Sequence, residues 1–440
     1  MRTILSLLIG KIVYFFTRML NFGGGSAAPG LYALKIDPNI VTKLSGKIPR
    51  NVVITGTNGK TTTSRMLAHF AKAHGLKVIR NHTGSNLERG IASALINHIS
   101  LGLNVFNPRG WIASNLGIWE LDEAAFNSVA PKLRPDVVVF LNVFRDQLDR
   151  YGEIDAVTNN WAQTLKKLPK KTIILVNGDD ANISKLGSYF KGKVYKFGVK
   201  DYKIQGEAIL HKNEKENLNC EVKNVKLKGL SGSTFDVIVH NKPFPVKLPL
   251  PGVYHIYDFL AAFYAGHELG FDTNKMIQSL KNFQPAFGRV EKLAFPHSKW
   301  GAYIFLIKNP AGATQVFQTI APELKPTDRL LLALNDNLAD GTDVSWIWDG
   351  EFERLFQTSY GRGTFVTVSG SRAADLAVRL KYAGFDPKQI KIESSIERAL
   401  REAKKGLKGR LFILPTYTAM LQLQRILVKI GVKGEYWNES

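Results

Sequence analysis

The sequence predicts an α/β protein in two parts, a central domain built on a mostly parallel, helix-covered sheet and a smaller C-terminal α/β unit of Rossmann-like type. Three observations predict it. Residues 52–66, VVITGTNGKTTTSRM, pass from an apolar run through a glycine-bracketed turn into a helical pattern. Strand-like and helix-like segments then alternate as far as residue 200, the order that puts helices on both faces of a parallel sheet. Beyond residue 360, FVTVSGSR (365–372), AADLAVRLKYAG (373–384) and RLFILPTYTAM (410–420) repeat the order strand, helix, strand.

At 440 residues with 45% hydrophobic side chains, the chain exceeds what one core usually holds. The divisions expected are an N-terminal helix with a glycine-rich hinge over 1–45, a central domain over 46–295 and a C-terminal domain over 296–440. Fifty-nine basic against 37 acidic side chains leave a net charge of +22, which favours anionic partners. No RNA-recognition signature, zinc finger or basic-aromatic repeat accompanies that charge, so nucleic acid is not an expected partner. The single cysteine, Cys220, excludes an internal disulfide and a cysteine-based zinc site, and no zinc is expected. Cysteine usage suits a reducing cytoplasm.

In order along the chain, MRTILSLLIGKIVYFFTRML (1–20) is strongly apolar, but Lys11 and Arg18 leave no uninterrupted stretch near the roughly 20 residues of a spanning helix. It reads as a retained helix and not a cleaved signal peptide. Either it packs on the nucleotide domain, or it lies in a membrane interface at the inner face of the plasma membrane. Gly23 to Gly30 reads as a hinge.

The turn at 55–63, TGTNGKTTT, carries a phosphate-binding loop. Gly56 and Gly59 let backbone N–H groups approach phosphate oxygens, and the following helix turns its positive N-terminal end toward them. Lys60 neutralises the outer phosphates, and the Thr61 hydroxyl is placed to ligate the Mg²⁺ that bridges them. ATP with Mg²⁺ is therefore the expected cofactor pair, with Thr55, Gly56, Thr57, Asn58, Gly59, Lys60, Thr61 and Thr62 as candidate nucleotide contacts. The general pattern asks for a glycine where Ile54 stands. A strand-turn-helix corner with glycines for geometry alone would not need Lys60 and three threonines.

Later strand ends add charge. Val78 to Arg80, Val137 to Phe144 and Thr172 to Val176 read as strands. Glu120 follows the apolar pair Ile118 and Trp119 and is the expected second Mg²⁺ ligand, with Asp122 and Glu123 as alternatives to it. Arg145, Asp146, Asp149 and Arg150 crowd one loop as ligand contacts or packing ion pairs. Asn177, Asp179 and Asp180 end a strand, either touching nucleotide, for which Asn177 is the candidate, or capping the next helix.

TGTNGKTTT, strand-end Glu120, RDQLDRYG (145–152), NGDD (177–180) and GRVE (288–291) together resemble the Mur ligase superfamily, which joins an amine to a carboxylate through an ATP-generated acyl phosphate. The resemblance implies that Arg289 reaches the nucleotide on domain closure. His255 and Asp258 stand where the superfamily usually has an asparagine-rich helix start. Further on, KNPAG (308–312) and LALNDNLADGTDVSWIWDGEFE (332–353) resemble the MurT family, the ligase-like subunits of lipid II isoglutaminyl synthase.

That likeness implies ATP-dependent amidation of the D-glutamate α-carboxylate of the lipid II stem peptide. Ammonia would come from a GatD-like glutamine amidotransferase subunit, whose cysteine-histidine pair Asp343 would complete across the interface. Asp336, Asp340 and Asp349 are neighbouring alternatives, and Asp343 as a helix cap is the plain one. The family's four-cysteine zinc ribbon is missing, and a lysine-rich hairpin in the insertion at 201–240 is expected in its place. Thr416 and Tyr417 end a strand and carry no assigned role. Two rival functions are a stand-alone amino acid ligase of Mur or folylpolyglutamate synthetase type, acting without a glutaminase, and a non-enzymatic nucleotide-binding membrane scaffold, for which the 332–353 segment would have no use.

Overall fold

Two sheets organise the chain, whose structure, a computed structural model, describes residues 2–19, 27–81, 85–99, 114–144, 154–200, 217–285, 289–295, 300–357 and 364–432. In chain order the first part contains α1 (Arg2–Met19), α2 (Ala28–Ile36), α3 (Ile40–Ser45), β1 (Arg50–Thr55), α4 (Lys60–Ala73), β2 (Val78–Arg80), α5 (Glu88–His98), β3 (Leu116–Leu121), α6 (Glu123–Leu133), β4 (Val137–Phe140), α7 (Ile154–Leu165), β5 (Ile173–Asn177), α8 (Ala181–Leu186) and β6 (Lys193–Val199). Three strands follow, β7 (Cys220–Leu227), β8 (Ser233–Val239) and β9 (Lys242–Leu248), then α9 (Val253–Glu268) and α10 (Thr273–Ser279). The second part holds β10 (Arg289–Ala294), β11 (Gly301–Phe305), α11 (Pro310–Ile320), β12 (Arg329–Ala333), α12 (Glu353–Gln357), β13 (Phe365–Ser369), α13 (Ala373–Tyr382), β14 (Ile390–Ile392), α14 (Ile396–Lys404), β15 (Leu411–Pro415) and α15 (Tyr417–Lys429).

The first sheet runs β2-β3-β1-β4-β5-β6-β7-β8-β9. It is parallel from β2 through β7, and β8 and β9 turn back antiparallel. β1 lies between β3 and β4: the chain leaves it for β2 and β3 on one side and then crosses to β4 on the other, a reversal that opens a crevice beyond its carboxyl end. Strand periodicity decides what faces what. Val52 and Ile54 enter one core with Met66, Phe70 and Phe259, while Val53 enters the other with Ile91 and Trp119. On β3, Ile118 lies in the first core and Trp119 in the second, so Glu120 returns to the side that α4 covers. Trp119 keeps its burial inexpensive by donating its indole N–H to Asn51 Oδ1 at 2.8 Å. α9 is apolar around its circumference and buries 13 of its 16 residues.

The second sheet runs β10-β11-β15-β12-β13-β14. It is parallel except for edge strand β10, antiparallel to β11. The backbone at Val290 is left-handed, φ +63°, where the ladder shifts register between Arg289 and Glu291.

Two expectations change and a third is extended. The strand foreseen over Val137 to Phe144 stops at Phe140, because Asn142 turns out of the ladder to bond the loop after β1. The hinge foreseen from Gly23 to Gly30 ends too late: Gly30 is a buried helical residue of α2. A Cβ there would meet the Arg89 carbonyl at 1.9 Å and the Ser93 amide at 2.7 Å, so glycine serves close packing of α2 on α5. Beyond residue 216, the expected hairpin is present as antiparallel β7 and β8, and β9 continues it into a meander that extends the main sheet. Cys220 is buried in its first strand, packed in the core with Phe197, and burial pushes its thiol well above the usual range.

Candidate functional site

The loop after β1 turns twice through left-handed glycine, Gly56 at φ +138° and Gly59 at φ +89°. Gly59 is doubly constrained, since a Cβ there would stand 2.2 Å from Asp258 Oδ1. Asn142 fixes the loop from the β4 side. Its backbone carbonyl accepts from Thr57 N at 3.0 Å, its Oδ1 accepts from Asn58 N at 2.8 Å, and its Nδ2 donates to Asn58 O at 3.1 Å. The Thr57 hydroxyl accepts from Phe144 N at 3.1 Å, while buried Thr55 donates to Leu121 O at 3.0 Å and so ties β1 to β3. Thr62 is buried in the first turn of α4.

Lys60 is buried, donates to the carbonyl of Gly56, and lies 3.6 Å from Asp122 and 3.9 Å from Glu123. Thr61 and Ser64, one turn apart on α4, both meet Glu120: Thr61 Oγ1 donates to Oε2 at 2.8 Å and Ser64 Oγ to Oε1 at 2.6 Å. Asn81 clamps the Glu120 backbone on both sides, accepting from its N–H at 2.9 Å and donating to its carbonyl at 2.8 Å. Behind them Arg80 donates to Ser64 Oγ at 3.3 Å. Burial lowers the Arg80 guanidinium below its ordinary value, against the attraction of Glu120. A hydroxyl and a carboxylate side by side form an oxygen donor set suited to a hard cation that keeps several waters and binds phosphate as well. Among the described residues no cluster of three or more histidine, cysteine, aspartate or glutamate side chains stands ready for a metal, so such an ion would depend on Thr61, Glu120 and its own ligands.

A cleft open to solvent adjoins the loop. Asn58 and Gly59 line its floor; Phe197, His255 and Asp258 line one side, and Phe305, Lys308 and Val316 of the C-terminal unit line the other. Asn177 lines it too, donating to Leu141 O at 2.9 Å and accepting from Asp179 N at 3.0 Å. Tyr257 donates to Asp179 at 2.7 Å, and burial together with that carboxylate drives its phenol well above the usual range. Asp180 instead caps α8, accepting from Asn182 N and Ile183 N.

The C-terminal unit reaches the loop through KNPAG. Asn58 and Asn309 exchange amide hydrogen bonds at 3.2 and 3.1 Å, and Lys308 donates to Thr57 O at 3.2 Å. Asn309 also caps α11, accepting from Gly312 N at 2.8 Å. Arg289 begins β10 next to Val290, which lines the cleft; its side chain lies outside the described residues, as do Arg145, Asp146, Asp149 and Arg150. Asp343 is elsewhere. It is exposed, accepts from Ser345 N at 2.8 Å at the start of a single 3₁₀ turn (Ser345–Trp348), and borders a second depression with Trp348, Arg372 and Asp375. Of the neighbouring carboxylates, Asp340 is buried and accepts from Thr418, and Asp336 accepts from Ser371 Oγ at 2.7 Å.

Sequence reasoning passed over Ser64, Asn81 and Asn142, and noted Lys308 and Asn309 only within the KNPAG motif, with no contact assigned. Ser64 had a usable signal, since it lies three residues after Thr61 and thus on the same helical face.

A glycine-bracketed strand-to-helix loop on a mostly parallel sheet, facing a cleft shared with a second α/β unit, fits a Mur ligase-type architecture, and residues 54–266 match the Mur ligase middle domain while residues 306–420 match the MurT ligase C-terminal domain. A solved MurF structure from Acinetobacter baumannii superposes with a TM-score of 0.69 at 15% identity, covering 92% of this chain and 81% of that one. The lipid II isoglutaminyl synthase (glutamine-hydrolyzing) subunit MurT of Staphylococcus aureus (strain COL) is 31% identical over 90% of this chain and 91% of its own. The subunit of that name from Streptococcus pneumoniae is 30% identical over 97% of each. The chain belongs to the MurT family.

Proposed function

We propose that this chain is the synthetase subunit that amidates the D-glutamate α-carboxylate of the lipid II stem peptide, using ATP and ammonia released by a GatD-like glutaminase. The observation that carries the reading is the Thr61–Glu120 pair beside the phosphate loop, in a chain that matches MurT subunits over nearly its whole length. A carboxylate is a poor electrophile; transfer of the γ-phosphoryl group to one of its oxygens makes an acyl phosphate, whose carbonyl ammonia attacks as phosphate leaves. Bound Mg²⁺ would supply charge neutralisation between the phosphoryl groups.

The remaining work falls to the chain. Backbone N–H groups around Gly56 and Gly59 and the start of α4 receive the phosphates, and Lys60 turns from its Asp122 and Glu123 neighbours toward them. Thr61 and Glu120 hold the ion. Asn177 and the apolar cleft walls receive the nucleoside, and Arg289 enters from the C-terminal unit. Closure of that unit through Lys308 and Asn309 keeps water from the acyl phosphate. Asp343, on a separate depression, meets the glutaminase and orients its histidine.

The test is mass analysis of lipid II incubated with ATP, glutamine and the chain co-purified with its glutaminase partner. The stem peptide should lose the mass difference between a hydroxyl and an amino group, and should not do so when Lys60→Ala replaces the wild type. An unchanged stem peptide sinks the reading.

A further inference from the structure

We propose that α1 is an interfacial helix that seats the protein on a bilayer surface carrying anionic headgroups. One stripe of α1 is already used: Leu7 is buried, Gly10 packs against Ile96, Ser6 donates to Ala33 O at 2.8 Å and Lys11 to Asn97 O at 3.2 Å. The opposite stripe repeats at helical spacing through Leu5, Leu8, Ile12, Phe15 and Met19, with Phe16 beside it, and all six are exposed by 41 to 62%. Leu31 and Tyr32 on neighbouring α2 are exposed as well. Eight of the 17 exposed large hydrophobic residues among those described therefore fall within residues 5–32, a concentration that a scattered surface would not give.

Charge selects the occupant. Residues 1–36 contain four basic and no acidic side chains. Arg2 and Lys35 are exposed, while Lys43 is paired with Asp37 at 2.7 Å, and the Lys35 ammonium lies 5.5 Å from the Tyr32 ring, the aromatic-basic pairing favoured at headgroup depth. No described helix is long and apolar enough to cross a membrane, so the helix lies along the surface with its aromatic stripe in the acyl boundary. Residues 1–36 offer a protein partner no acidic side chain, and Asp37, the first in the sequence, is buried beneath Lys43.

Vesicle binding reads this surface without ATP, glutamine or lipid II, so its outcome is separate from that of the amidation assay. Full-length protein is sedimented with vesicles of phosphatidylcholine alone or mixed with phosphatidylglycerol. Binding should favour the anionic vesicles and weaken with salt, and Phe15→Ser combined with Phe16→Ser should lower the partition coefficient by about tenfold or more. Both phenylalanines are exposed, so the variant should keep the wild-type urea midpoint. Protein left in the supernatant by both vesicle types overturns the proposal, as does vesicle binding that the double variant leaves unchanged. A stable dimer that the variant dissociates overturns it in favour of a second copy.

Discussion

Asp343 shows what a single residue can and cannot disclose. Its Oδ1 accepts from Ser345 N, a local Asx turn that any exposed aspartate before a turn can make. Asn keeps that acceptor and removes the charge, so Asp343→Asn isolates the electrostatic role. In the complex, glutamine-driven amidation should fall by about 10⁴-fold, the scale seen when a histidine loses its orienting carboxylate, while amidation driven by ammonium salt should be unchanged. Product formed per minute from each nitrogen source decides it, and loss of both would move Asp343 into the synthetase site. Thr61 and Glu120 were legible as neighbours because a P-loop hydroxyl and a carboxylate at the end of an adjacent strand have few other places to point. Asn142 was not, since its bonds to the loop at Thr57 and Asn58 depend on β4 ending early, which no local pattern announces.

At the scale of elements, composition misled where packing decides. A glycine-rich segment signals freedom, yet Gly30 is glycine so that α2 can touch α5. The meander β7–β9 was legible in part as a hairpin, and the two-residue link between β8 and β9, His240 at φ +49° and Asn241 at φ +60°, matches the turn whose twist suits strands. That turn meets the end of α9: His240 Nε2 lies 3.1 Å from His267 Nε2. Burial first, then His240, lowers His267 below its ordinary value of 6.5. A histidine lowered on folding favours the neutral form, so its contribution is complete above about 6.5 and is lost as pH falls below that value toward the folded pKa. Adjacent Glu268 is raised by burial and contributes with the opposite slope, losing stability as pH rises, which a comparison at fixed Glu268 cancels to first order. The thermal midpoint should therefore drop more between pH 7.5 and pH 5.5, both about one pH unit from that ordinary value, in wild type than in His267→Gln. Parallel profiles would show that the histidine pair has no part in acid sensitivity.

Across the whole molecule, the two sheets share one cleft, and Lys308 and Asn309 join the C-terminal unit to Thr57 and Asn58 of the loop after β1. Asn309 makes two of these contacts while also capping α11. The two roles separate by side-chain length. Serine is as good a cap as asparagine but is too short to reach Asn58, so Asn309→Ser should leave α11 formed and cut the reciprocal amide pair. Each exchanged bond contributes on the order of 1 kcal/mol and less where water can replace it, so global stability should change by no more than about 1–2 kcal/mol. On the proposed reading, ATP affinity depends on the loop and the C-terminal unit being held together before the nucleotide arrives. A comparable loss of preorganisation corresponds to a roughly tenfold weaker dissociation constant. Calorimetric titration of the full chain with ATP and Mg²⁺, beside its urea midpoint, separates the two effects. Weakened binding with a preserved midpoint makes Asn309 the residue through which the C-terminal unit organises the loop, whereas unchanged binding would leave its pair with Asn58 as packing alone.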